Sequence, residues 1–480
     1  MDAIFLGQQS WAFHAGGTNI LVDPVLSESF GTSEELQFRI YPYRRINLSA
    51  MPPPDAVVIT NEHLDHFHLQ SLMLLRPGTR ILVGDLFPDV CRRAIEECGH
   101  VVQTLPDERP VKVKDLAVSL YRCAPASKFW EKRVCHAVIS SIHLGSVIIQ
   151  SDGLVSESLI RDARMGVLGD ISLFIATNNA QVPPQGAAGT YENLLPLNAG
   201  RPPALGVDIF HEVLCAIPEQ VGSIPHLAVC GGGYVQFPAK HGHFRWSDAR
   251  ALQRYLAPLS LAQMVHIPEP GQCLRLRRCG DEIECDVTQS HWVERLDTAS
   301  SESFVHMESE WFQRSVFGEV SNSEIKDALE QALASLNFLA PILVSTPFGQ
   351  GVAACHQYVG GPVGGIRFAV RLFNDSPSMM TSFGLDITDA KFFPLEMTEE
   401  EVLTSVPFGI DVHIADWNAL NEGRLQIWEL ATARMRQWYM GMDPLFSPIA
   451  FFYCLFSEQV RPSLAARMYQ HIRSSKLPGI

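Results

Sequence analysis

An apolar run, Ala56-Val57-Val58-Ile59, stops abruptly at Thr60-Asn61-Glu62-His63-Leu64-Asp65-His66. The run reads as a buried strand and the polar cluster as the loop leaving its end. Loops after buried strands are where α/β enzymes place their chemistry, because a rigid sheet aims a mobile segment. Within seven residues this loop carries two imidazoles and two carboxylates. The spacing of His63, Asp65 and His66 lets side chains from one tight turn converge on a point. Such nitrogen and oxygen donors suit zinc, iron or manganese.

The surrounding chain supplies the layers. Residues 4–7 and 10–15, a Gly16-Gly17 turn and residues 18–24 read as short strands ending in Asp23-Pro24. Residues 29–45 read as irregular and aromatic. A helix over 69–75, a strand over 79–84 and a helix over 89–98 give the alternation of layered α/β packing. Further strands are expected over 111–121 and 137–149, the last running into Ser151-Asp152-Gly153, and over 171–176. Residues 181–205, rich in Pro, Gly and Asn, read as a lid with Tyr191 as a contact. A strand from His226 enters the glycine turn Gly231-Gly232-Gly233. The segment Lys240-His241-Gly242-His243-Phe244 then precedes a helix over 247–256.

At residues 60–66 the chain resembles the metallo-β-lactamase superfamily, whose signature is Thr-His-x-His-x-Asp-His after a strand. His63, Asp65 and His66 match the second His, the Asp and the third His; Asn61 stands where the first His would be. The resemblance implies a four-layer αββα sandwich holding one or two divalent metal ions. It places Asp152 where relatives bridge two metals, His241 where they carry a last metal His, and Asp23 as support behind the ligands. The expected metal ligands are therefore His63, Asp65, His66, Asp152 and His241, with Asp65 and His66 also in catalytic roles. Relatives carry one further His near residues 124–131. None is present there, so Glu131 or Glu62 is a candidate replacement, and His243 an alternative to His241. Carboxylates in place of imidazoles favour a harder metal, iron or manganese over zinc. His136 and His143 read as structural.

The length of 480 residues exceeds one ordinary core. We place a metallo-β-lactamase-like domain over 1–295 and a C-terminal α+β domain over 300–480. The second has an apolar-faced helix from Ser321 through Leu336, strands over 343–346, 352–358 and 365–373, and helices over 424–439 and 462–472. Its helix faces read as core or as the interface of a homo-oligomer. A net charge of −15 argues against nucleic-acid partners. No apolar run reaches the roughly 20 residues of a membrane span, and no signal peptide is visible. Eleven cysteines read as reduced thiols of a cytoplasmic protein.

The order of features resembles the lactonase-like branch that includes CMP-N-acetylneuraminate hydroxylase, without its Rieske domain. Two activities follow, the first on a polar small molecule. A non-haem iron oxygenase, fed by a separate electron donor, is favoured by the missing histidines. A metal-dependent hydrolase of an ester, amide or phosphate bond is favoured by the general habit of the superfamily. A non-catalytic protein with a decayed site is the third reading.

Overall fold

The computed structural model describes the chain apart from residues 34–35, 126–132, 178–190, 194–205, 232–233, 238–242, 245–260, 262, 297–314, 347–365, 375, 407, 440–454 and 476–480. The expected domain boundary near 300, the helix over 247–256, the strand over 352–358, Glu131, His241 and most of the proposed lid lie outside the described residues.

Two sheets pack face to face. The first has eight strands and is centred on Thr18–Val22 and Ala56–Ile59, which run parallel, with Arg80–Gly84 beyond them. Gln272–Cys279 and Glu282–Gln289 close its far edge. The second has seven strands, in which Gly145–Ile149, Ile171–Thr177 and His226–Cys230 run parallel. Alternation sends one set of side chains, including Trp11, Val58, Ile139 and Leu173, into the space between the sheets. The other set meets helices. Val57, Ile59 and Ile81 pack under Leu69–Met73 and Asp89–Glu97, and Ile148 and Phe174 under Glu157–Arg164 and Gly206–Val221. Each central strand is thus apolar on both faces, which is why it reads as a continuous run. The four layers are α, β, β, α, as the sequence implied.

A third, six-stranded sheet is built mainly from the C-terminal part and takes in Tyr191–Asn193. The helix Ile325–Ser345 covers it through Ala328, Ala332, Leu336, Leu339, Ala340 and Leu343. By length and composition this helix is also apolar enough to cross a membrane, so the expectation that no run reaches that length is corrected. The apolar core here continues into the first part of the chain through Phe30, Phe38, Leu64 and Tyr234. The last helix, Pro462–Ser474, returns to pack Ala465, Met468, Tyr469 and Ile472 against the helices that cover the first sheet.

Three local expectations are corrected. No strand forms over 343–346: residues 343–345 continue the helix and Thr346 caps it. Residues 424–439 are not one helix: Ile427–Ala433 is helical, and Met435–Tyr439 pairs with Phe408–His413. Residues 29–45 are not irregular, since Ser29–Phe30, Gln37–Ile40 and Arg44–Ile46 are strands. Each depends on partners far along the chain, which local periodicity does not report.

Candidate metal centre

The loop after Ala56–Ile59 and the loop after Gly145–Ile149 emerge at the same end of the sandwich. Asp23, at the end of Thr18–Val22, anchors the first. Its backbone is left-handed (φ 46°), a conformation that aspartate tolerates better than most residues. Its carboxylate accepts the Thr60 backbone N–H at 2.8 Å and the Thr60 hydroxyl at 2.6 Å, and lies 2.7 Å from His66 Nδ1. The His66 proton therefore sits on Nδ1, and Nε2 is turned towards the other loop.

There Nε2 of His66 lies 3.0 Å from Asp152 Oδ2 and 3.7 Å from Asp65 Oδ2. Asp65, His66 and Asp152 each offer a ligand atom, all within 4.8 Å of one another. The His66 ring is fully buried, and these two carboxylates are what Nε2 faces. A buried nitrogen facing two carboxylates, with its other nitrogen fixed by a third, is the donor arrangement of a metal site. The residues present fit a divalent ion with an oxygen-rich coordination shell.

His63 also reaches Asp152, through Nδ1 at 2.9 Å, and its ring packs 5.2 Å from that of Trp428. Asp65 accepts a hydrogen bond from the Gln8 side chain at 3.2 Å. The structure thus gathers four of the five expected ligands, while His241 lies outside the described residues. Among the described residues, sequence reasoning passed over Gln8, Ser151 and Trp428. Gln8 has a left-handed backbone (φ 53°) at the first hairpin, but one polar residue in a turn gives no signal that it points at a distant loop.

Burial opposes charge on every member of the cluster, and the partners decide the outcome. It pushes the His66 pKa down, but Asp152, Asp65 and Asp23 outweigh it and hold the group well above the usual histidine value. His63 is likewise raised, its hydrogen bond to Asp152 overcoming desolvation. Desolvation would raise Asp152, yet His66 and His63 hold it well below the ordinary carboxylate range. Asp23 is raised, because burial there exceeds the help of His66 and Thr60. This is a pocket with more carboxylate than imidazole, and it attracts a cation.

The neighbours of the ligands have other employment. Asn61, fully buried, donates to Ser151 Oγ at 3.1 Å and accepts the His63 N–H at 2.8 Å. It braces the loop in place of a ligand. Glu62 lies 2.5 Å from Arg133 and does not join the ligand cluster, so it is not the replacement ligand considered above. His136 accepts from the Ser151 N–H through Nδ1 and donates to Leu154 O through Nε2. Burial lowers its pKa to about 4, so it is a neutral structural residue.

Residues 18–148 match the family model described as Beta-lactamase superfamily domain. The fold is of the metallo-β-lactamase type. No curated protein sequence matches the chain. Among solved structures, a possible metal-dependent hydrolase from Veillonella parvula is 14% identical, over 57% of this chain and 98% of that one, at a TM-score of 0.39. An isothiocyanate hydrolase from Delia radicum gut bacteria is 13% identical, over 57% of this chain and 99% of that one, at 0.40. The diiron β-hydroxylase CmlA from Streptomyces venezuelae is 18% identical, over 48% of this chain and 44% of that one, at 0.32. The functional reading rests on the site and not on these neighbours.

Proposed function

We propose that the protein is a metalloenzyme acting on a polar small molecule, with its metal held by Asp65, His66 and Asp152 and supported by His63. The observation that carries this is the buried His66 Nε2 set between two carboxylates, 3.0 Å from Asp152 and 3.7 Å from Asp65. Two anionic donors offset the charge of a divalent ion and favour a metal that gains positive charge during turnover. That favours iron and an oxygenase or hydroxylase reaction, with electrons from a separate donor. A bound metal supplies Lewis acidity and, if it is iron, redox chemistry with dioxygen.

The protein residues have their own tasks. Asp23 holds the His66 ring through Nδ1, so that Nε2 is the nitrogen turned towards Asp152 and Asp65. Asp152 holds His63 and His66 together. His63, part-buried beside Trp428, keeps a proton at Nδ1 against Asp152 at the rim of the site. The Trp428 ring limits water access on that side. Hydrolysis of an ester, amide or phosphate bond is the second reading. It is favoured by His63, whose ring stands at the rim of the site where it can face an anion that forms on the substrate.

Metal analysis of protein purified without added metal, with oxygen-uptake and hydrolase assays, tests the proposal. Stoichiometric iron and oxygen uptake dependent on an added reductant support the oxygenase. Zinc with turnover of a hydrolase substrate moves the assignment to the second reading. Protein that neither carries nor takes up a metal overturns both.

A further inference from the structure

A second group of ligand-type side chains lies at the opposite end of the sandwich. Strand His226–Cys230 runs parallel to Gly145–Ile149 and Ile171–Thr177. Its C-terminal residue, Cys230, borders the Asp152 end through Thr177, at 3.6 Å. His226 opens the same strand, so about 13 Å of extended chain separates it from that end.

Alternation explains how three side chains converge there. In His226–Cys230, Ala228 and Cys230 face the inter-sheet core, whereas Leu227 and Val229 face the helices. His226 therefore points inward. Ala228 is the register partner of His266 on the neighbouring strand, which turns His266 inward too. On the opposite sheet, Ile283 and Cys285 are the residues of Glu282–Gln289 that pack against the same core. The outcome is one ligand atom each from His226, His266 and Cys285, all within 4.8 Å of one another.

Hydrogen bonding fixes the ring states. His226 Nε2 lies 2.9 Å from the carbonyl oxygen of Ile283, and a carbonyl only accepts, so Nε2 carries the hydrogen. The Nδ1 lone pair is then directed at His266, whose Nε2 is 3.1 Å away. Two imidazole nitrogens on one tetrahedral zinc, each about 2.0–2.1 Å from the metal, stand about 3.3 Å apart. A ligating histidine that donates its other N–H to a backbone carbonyl is the usual support of such a site. Two imidazoles and one thiol form a softer donor set than the carboxylate-rich cluster at the other end, and they suit zinc.

We propose that His226, His266 and Cys285 form a separate zinc site that ties the edges of the two sheets together, with water completing the tetrahedron. Binding replaces the S–H bond of Cys285 with a sulfur–zinc bond and releases one proton to solvent.

Cobalt(II) titration of chelator-stripped protein tests this, because none of the candidate ligands at the Asp152 centre is a cysteine. A thiolate-to-cobalt charge-transfer band saturating at one equivalent is expected. Cys285→Ser and His266→Ala should each lose the band and one equivalent of bound metal. Asp152→Ala should keep the band, which separates this site from the catalytic proposal. Zinc should raise the melting temperature of the parent by more than that of Cys285→Ser, which keeps the Asp152 centre, and the two should melt alike without metal. No band in the parent, which would leave only a hydrogen bond between the two histidines, overturns the proposal. So does a band that survives Cys285→Ser.

Discussion

Glu458 is buried in the C-terminal part of the chain, within reach of the charges of Glu62 and Arg133. It accepts hydrogen bonds from Gln426 Nε2 at 2.7 Å and from the Tyr469 hydroxyl at 3.3 Å. Burial, reinforced by the charge of Glu62 and only partly offset by Arg133, pushes its pKa up from 4.5 to about 6. Between those values the folded protein holds a proton that the unfolded chain has released, so stability falls as pH rises through this window. Above pH 6 the loss is complete. At 1.36 kcal/mol per pH unit the gap amounts to about 2 kcal/mol. Glu458→Gln removes the charge and keeps an oxygen for Gln426. The variant should therefore gain up to about 2 kcal/mol over the parent at about pH 8, and this advantage should vanish near pH 4.5. Parallel denaturant unfolding from about pH 5 to 8 measures it, because any pH-independent packing change cancels in the slope of the difference. A difference that stays flat across that range, or grows as pH falls, refutes the reasoning.

Other substitutions probe the loop supports. Asp23→Asn should fold but lose about 10–100-fold in metal affinity, since the neutral amide no longer fixes the His66 tautomer; calorimetric titration with manganese or iron measures this. Asn61→Ala should keep its metal and cost about 1–3 kcal/mol of stability, because the His63 N–H loses its buried acceptor. Loss of metal without loss of stability would make Asn61 a ligand. Arg44, fully buried, donates to the carbonyls of Leu6, Ser27 and Val25. Arg44→Met should cost about 3 kcal/mol or more in thermal or denaturant unfolding, by leaving three acceptors unpaired.

The parts of this molecule that were legible in sequence are those whose cause is local. Ala56–Ile59 and Gly145–Ile149 are apolar throughout because both faces are covered, and the polar residues after them sit where the strands end. The supporting place of Asp23 came from the resemblance to a family whose opening strands end in Asp-Pro, and its carboxylate does hold Thr60 and His66. Where the chain depends on distant partners the pattern misled. Met435–Tyr439 follows a helical turn with plausible helical spacing, yet its backbone is claimed by Phe408–His413. The apolar residues 343–345 fit a strand or a buried helix equally, and Ile325–Ser345 continues through them despite Pro341. The site shows the same division. Its ligand types were readable from one loop, but Trp428 against His63 and Gln8 against Asp65 are contacts between segments that sequence keeps far apart. Asn61 illustrates a subtler limit: a residue in a ligand's place in the motif is spent on holding Ser151 and the His63 backbone.

Metal stoichiometry of the parent and of Asp152→Ala, each purified in the Cys285→Ser background, tests the central claim most directly. The parent should retain its metal, and Asp152→Ala should lose it while staying folded. Equal metal in both proteins would contradict that claim, since the carboxylate beside His63 and His66 would then hold nothing.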